Sequence, residues 1–303
     1  MDLKSIAMGI GFAFFWASAF TSTRVIVQAA PPLMALLIRF ALSAVLAILL
    51  ARMMGQSWKL NRAEWRTVVI FGICQNALYL GLNWVGMQTV EASAASIIAS
   101  MMPLLVALLG WAAMGEKLRP MAVVGLIAGG VGVCIIMGVR LNHGLDVFGT
   151  MLCLFGAVAL ALATLASRGA GGSRNMMMIV GLQMAIGSLA LLLPAAWLEW
   201  GQPIHWSWTL VWAFLYTVIV PGIVATWIWF LLVGRIGAVR AATFHFLSPL
   251  FGVIIAALLL NERFGLSDVV GAAIVAVGIL MVQIARIPTP QTATTAAPET
   301  KPQ

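Results

Sequence analysis

Apolar residues run through this chain in long unbroken stretches, and polar positions gather in the short intervals between them. Segments 5–27, 33–53, 66–84, 92–114, 120–139, 147–167, 176–198, 208–233, 238–260 and 266–285 each approach the roughly 20 apolar residues that carry a helix across a hydrocarbon core. The pattern predicts an all-α polytopic membrane protein of ten transmembrane helices, with no soluble domain left over.

The stretch from Ala92 to Gly132 occurs twice. A shift of 146 residues carries Pro103 onto Pro249, Glu116 onto Glu262, Lys117 onto Arg263, Gly125 onto Gly271 and Gly132 onto Gly278, without a gap. Chance matches among Ala and Val mean little, but Pro, Glu and Gly in one register mark an internal repeat. Each half of the chain holds five spans, an odd number, so the second half enters from the opposite side and the repeats are inverted. This divides the chain into a first unit (1–139), an external linker (140–146), a second unit (147–286) and a Pro/Thr/Ala/Gln-rich cytoplasmic tail (287–303), expected to be disordered.

Polar positions inside the spans are the candidates for function. In segment 1, Trp16, Ser18, Thr21 and Ser22 either line a cavity or let helices approach closely. Arg39 in segment 2 is costly in hydrocarbon and therefore a functional candidate by default. The alternative is a side chain that reaches helix ends or loop carbonyls. Segment 3 is the most polar: Gln75, Tyr79 and Asn83 recur at i, i+4, i+8 with Asn76 alongside, a face that must look into protein or water. Segment 4 carries Ser93, Ser96 and Ser100 and then Pro103, which bends the helix; Pro249 bends segment 9 equivalently. Segment 8 offers Trp212 and Tyr216 one turn apart, with a second break at Pro221-Gly222, and segment 9 offers Thr243, His245 and Ser248. His245 could titrate near neutral pH or simply hydrogen-bond. Glu116 and Glu262 end segments 4 and 9, where the simplest role is an anion near the N-terminus of the following helix. The Gly-rich segments 5 and 10 suit close helix packing, within the chain or between protomers.

Composition agrees: 62% of residues are hydrophobic and 9% charged, against roughly 25% charged in soluble domains. The net charge of +8 could suggest a nucleic-acid partner, but its distribution excludes one. With the N-terminus inside, Lys4, Arg52, Lys59, Arg62, Arg66, Lys117, Arg119, Arg168, Arg174, Arg235, Arg240, Arg286 and Lys301 all fall inside, and only Arg24, Arg140 and Arg263 outside. This positive-inside bias places both termini in the cytoplasm. Trp197, Trp200, Trp206 and Trp208 form an interfacial belt. Cys74, Cys134 and Cys153 have no metal-ligand spacing and read as small packers. The N-terminus leads into an expected uncleaved first helix.

The chain shows no nucleophile–base pair, phosphate loop or metal cluster, so no enzyme, cofactor or metal is expected. All nine carboxylates lie at segment ends, loops or tails, whereas carriers of lipophilic cations usually hold a buried anion. An interior of rings, amides and hydroxyls fits a neutral or zwitterionic solute. Inverted repeats broken at matching prolines are the sequence sign of a secondary transporter with a site near the midplane.

The Pro-led start of segment 2 ending in Arg39-Phe40, the blocks running from Pro103 to Leu118 and from Pro249 to Phe264, and the Gly-rich spans after them resemble the EamA type of the drug/metabolite transporter superfamily. Within it the chain more closely resembles the YddG-type aromatic amino-acid exporters. The resemblance implies a bacterial inner-membrane exporter whose cavity is built from segments 1, 3, 4, 6, 8 and 9. The first-helix Glu of small multidrug members is absent here. The expected activity is export of aromatic or other neutral amino acids by alternating access, by a monomer or weak homodimer in the bilayer. The substrate set is Trp16, Asn76, Tyr79, Asn83, Ser96, Trp212, Tyr216, Thr243, His245 and Ser248, and the structural or gating set is Arg39, Pro103, Glu116, Pro249 and Glu262. Alternatives are a multidrug or nucleotide-sugar-like carrier of the same fold and, from another class, a channel or membrane-embedded enzyme.

Overall fold

The computed structural model describes residues 2–142, 146–166, 175–262 and 265–286. Among these, ten helices are long and apolar enough to cross a membrane, and there is no strand. They are α1 (Leu3–Ala29), α2 (Pro32–Met53), α3 (Arg62–Gly86), α4 (Ala92–Met114), α5 (Pro120–Asn142), α6 (Val147–Ala166), α7 (Met176–Leu198), α8 (Trp208–Ile236), α9 (Ala238–Leu260) and α10 (Leu266–Ala285). The expected tail, the middle of the linker (143–145), and Arg168, Arg174, Arg263 and Lys301 of the charge comparison lie outside the described residues. Below, the end of the bundle holding Leu3 is proximal and the end holding Ala29 distal.

Local chemistry sets the helix ends. Asn61 and Glu64 bond each other's backbone amides in a capping box at the start of α3. Asp146 does the same for α6, taking the amides of Phe148 and Gly149 at 3.1 and 2.9 Å. These bonds, with one from the Thr89 hydroxyl, hold its carboxyl below the usual carboxylate range.

The two prolines break their helices alike. α4 consists of Ala92–Ser100 and Met102–Met114, and α9 of Ala238–Thr243, a tight 3-10 turn at Phe244–Leu247, and Ser248–Leu260. Pro103 and Pro249 are each second in the later piece, and the repeat shift superposes Met102–Met114 on Ser248–Leu260. Each proline removes one backbone bond. Near the α9 break, buried Gln283 of α10 donates to the Ala242 carbonyl at 3.3 Å and ties the two helices together. Both later pieces end on a left-handed residue, Gly115 (φ 66°) and Asn261 (φ 53°). α3 and α8 carry wider π-helical turns at Phe71–Tyr79 and Val220–Val224, in overlapping repeat positions.

The halves interlock. α1 packs on α8 and α9 of the second half, and its counterpart α6 packs on α3 and α4 of the first; α2 pairs with α7 and α5 with α10. The α5–α10 contact is backbone on backbone. A Cβ at Gly125 would lie 2.7 Å from the Gly278 carbonyl, and one at Gly132 would lie 2.7 Å from the Gly271 carbonyl. These glycines are therefore used within the chain, and the alternative that they pack between protomers is not what the structure shows.

At the distal end, carboxylates from the second half clamp helix N-termini of the first. Glu199 accepts from the amides of Leu33 (2.9 Å) and Met34 (2.7 Å) at the start of α2. Glu262 accepts from those of Ala92 (2.7 Å) and Ser93 (3.1 Å) at the start of α4. This corrects the expectation for Glu262: it caps α4, not the following helix, because Asn261 reverses the chain before it, while α10 is bonded by its own Asp268. The counterpart of the Glu199 clamp, at the proximal end, is a single neutral bond from the Met178 amide to Gln56, 3.0 Å. Glu116 lines a proximal surface cleft with Trp111, Lys117 and Leu118.

Candidate functional site

Ring contacts mark the first group of candidates. On α1, Gly9 has no side chain, and the Phe244 ring of the α9 turn lies against it where a Cβ would stand. That close approach brings the next residue, His245, among the rings of α1 and α8. The imidazole meets Phe12 edge-on at 5.2 Å, Trp16 edge-on at 5.9 Å and Trp229 tilted at 5.6 Å, and Phe12 and Trp229 are 4.8 Å apart. Such separations and tilts are those aromatic pairs favour. Phe12 is buried and the other three are half-buried. The enclosure sits on the 3-10 turn of α9, the least regular part of that helix.

Trp16 and His245 are thus brought together, with two partners that the sequence reading did not select. Phe12 is one of 14 phenylalanines and Trp229 one of 12 tryptophans, and nothing in their neighbours along the chain sets them apart.

A second group joins α1 to α8 through hydroxyls. Ser18 Oγ and the Tyr216 hydroxyl are 2.6 Å apart, and Thr217 donates to Ser22 at 2.7 Å. Tyr216 therefore faces inward. Trp212 does not: it is 66% exposed, in a stripe with Trp208, Leu215 and Ile219 on the outer surface of α8. The expected shared Trp212–Tyr216 face is corrected, because the boundary between the packed and outer faces of α8 falls between them.

The polar face of α3 is divided in the same way. The Asn76 amide donates to the Gln183 carbonyl of α7 at 2.9 Å, and its Cβ is where a side chain at Gly187 would lie, so Asn76 ties two helices together rather than lining a cavity. The π-turn is the reason: its wider i to i+5 bonding breaks the i, i+4, i+8 register that the spacing assumed. Tyr79 and Asn83 are both 1% exposed and belong to the distal half; Tyr79 is an electrostatic neighbour of Arg39, and Asn83 precedes Trp84. Arg39 neither reaches a surface nor bonds a helix end, being 7% exposed. Its guanidinium lies 5.2 Å from the Phe40 ring centroid and 5.7 Å from that of Trp84.

The broken helices cross at the third group. Ser96 on α4 donates to the Ser248 carbonyl on α9 at 3.4 Å, against the open face of Gly252. Thr243 bonds back to the Arg240 carbonyl of its own helix at 2.6 Å. At the distal mouth, a cavity of about 380 Å³ is lined by Arg24, Gln28, Glu91, Leu260, Asn261 and Glu262, and Arg24 donates to the Met87 carbonyl.

Chemically, the arrangement offers ring walls toward the proximal side, a hydroxyl ladder beside them and buried donors on the distal side. Every described carboxylate lies in a loop or an end turn, and no His/Cys/Asp/Glu cluster among the described residues could hold a metal.

The sequence pattern of the EamA-like transporter family matches residues 3–138 and 147–284. The uncharacterized transporter YvbV of Bacillus subtilis (strain 168) is 27% identical over 268 residues, covering 88% of this chain and 87% of that protein. Protein PecM of Dickeya dadantii (strain 3937) is 24% identical over 279 residues, covering 90% and 91%. A solved crystal structure superposes with a TM-score of 0.66 at 17% identity, over 93% of this chain and 99% of that one, a likeness of fold.

Proposed function

The chain belongs to the EamA-like transporter family, and on that premise we propose that it exports aromatic or other neutral amino acids and related metabolites across a bacterial inner membrane, as YddG-type exporters do. Both termini are cytoplasmic in this reading, so the proximal end faces the cytoplasm. The units 1–139 and 147–286, joined by the external linker, rock against each other about a site near the midplane.

The observation that carries the proposal is the enclosure of Phe12, Trp16, Trp229 and His245, contributed by α1, α8 and α9 and therefore by both halves. It already holds one flat ring, the imidazole, edge-on or tilted against three others, and this supports a flat solute ring taking the place of His245. The α9 turn gives His245 a backbone able to move. A lipophilic cation finds no anion at this depth, whereas a zwitterion finds hydroxyls at Ser18, Ser22, Tyr216 and Thr217.

The test is uptake of labelled tryptophan, phenylalanine and alanine into proteoliposomes, with and without a pH gradient. Saturable uptake, with tryptophan and phenylalanine ahead of alanine, supports the reading. Absence of amino-acid flux together with saturable cation flux would replace it with a multidrug carrier of the same fold.

A further inference from the structure

The ring enclosure leaves the distal half unused, and the most expensive side chain of the membrane region lies there. Seven residues after Pro32, Arg39 stands about 10 Å below the distal end of α2 at 1.5 Å per residue. Its Nε is buried without a partner, and among the described residues Arg39 makes no hydrogen bond or ion pair. The faces of Phe40 and Trp84 attend it, and the Tyr79 phenol is its electrostatic neighbour. Its own helix and two helices in contact with that one carry three more buried polar atoms without partners: Ser43 Oγ, one turn further along α2, Asn83 Nδ2, next to Trp84 on α3, and Thr21 Oγ1 on α1. α1, α2 and α3 are in mutual contact.

Each of these atoms can donate a hydrogen bond, and the Asn83 nitrogen can do nothing else. Native interiors leave few such atoms unmatched, so four on three adjoining helices need a common explanation. A neutral guest would leave the guanidinium unpaired, and a cation would be repelled. A carboxylate meets every requirement: its two oxygens match the planar guanidinium fork and retain lone pairs for the amide and hydroxyls. An intramembrane cation facing the protein interior is also where solute pathways are found.

We propose that Arg39, with Asn83, Ser43 and Thr21, forms an anion site in the distal half that binds the carboxylate of a small organic acid or amino acid. The site stands whether or not the transported solute is aromatic, because it shares no residue with the ring enclosure.

The test uses the full chain purified in detergent and follows its thermal unfolding midpoint during titration with benzoate or with benzamide, which has the same ring and a neutral head. Benzoate should raise the midpoint saturably and benzamide should not. R39Q should raise the half-saturating benzoate concentration by at least about tenfold, the loss expected for a charge-assisted bidentate pair, while its midpoint without ligand stays at or above that of the wild type, since an unpaired buried charge has gone. R39K should bind benzoate between the two. Equal responses to benzoate and benzamide, or an R39Q response equal to the wild type, would overturn the site. If R39Q does not fold, N83A and S43A decide: unchanged half-saturation in both refutes it, and weakening in either sustains it. Benzoate binding does not require amino-acid flux, so the failure of one reading is distinguishable from that of the other.

Discussion

Gly278→Ala tests the interlocked packing through a single atom. A Cβ at Gly278 would stand 2.6 Å from the Gly125 carbonyl oxygen and 2.7 Å from the Gly129 amide nitrogen, where ordinary contact begins at 3.4 Å. Both obstacles are backbone, so relief requires α5 and α10 to separate by about 0.8 Å. A gap of that size forfeits about a quarter to a half of each dispersion contact along the seam, including those of buried Val275, Ile279 and Val282. Overpacking of this kind costs about 1–3 kcal/mol, and the better helix propensity of Ala returns about 1 kcal/mol. The net expectation is a loss of about 0–2 kcal/mol, with its middle at about 1 kcal/mol. Gly130, on the same helix as Gly125 with nothing within 4 Å of its Cβ position, supplies the control. G130A should be neutral or slightly stabilising. Unfolding midpoints of the two variants in one detergent measure the difference. Equal midpoints would show that the glycines are not the seam between the halves and would refute the packing described here.

Other consequences follow from single contacts. Glu262→Gln keeps one amide bond to α4 but loses the charge at its N-terminus, and should destabilise by about 1–2 kcal/mol, measured by chemical or thermal unfolding; no change would mean the clamp is idle. A double-mutant cycle of Ser18→Ala and Tyr216→Phe should show a coupling of about 0.6 kcal/mol, the usual size for interhelical hydrogen bonds in membranes, and zero coupling would separate the two hydroxyls. Asp146→Asn should lower the unfolding midpoint at neutral pH. A carboxyl held below its usual range contributes above its unfolded-state pKa and loses that contribution as pH falls through the folded one, so the midpoints of variant and wild type should converge in acid. A constant difference down to pH about 2 would contradict this assignment. Trp212→Ala, on the outer face of α8, should leave transport unchanged, while a defect as large as that of Trp229→Ala would return it to the site.

Most of the fold could be read in one dimension, because an apolar run of span length has few alternatives in a membrane. The breaks at Pro103 and Pro249 were equally legible, since a proline acts on its own helix. Registers were harder. The spacing of Gln75, Tyr79 and Asn83 implies one face only on a regular helix, and the π-turn at Phe71–Tyr79 turns Asn76 onto α7. Trp212 and Tyr216 are one turn apart, yet packing divides them. Distant partners were not visible at all. Glu199 meets the start of α2 across the fold, and the only local hint was that Pro31 cannot cap that helix with its own side chain. Among the ring residues, His245 stood out as a polar ring in an apolar run, whereas Phe12 is one Phe among many and nothing local separates Trp16 from Trp229, so their meeting became visible only once α1, α8 and α9 were in place.

The central claim is that the rings at the meeting of α1, α8 and α9 hold the solute. Tryptophan counterflow in proteoliposomes tests it most directly, comparing the wild type with Trp16→Ala and Trp229→Ala at matched protein incorporation. The account predicts saturable counterflow in the wild type and a half-saturating tryptophan concentration raised about tenfold or more in both variants, as expected when a stacking wall worth about 1–1.5 kcal/mol is removed along with its buried area. Wild-type affinity in both variants, with counterflow intact, would contradict it and move the site elsewhere in the bundle.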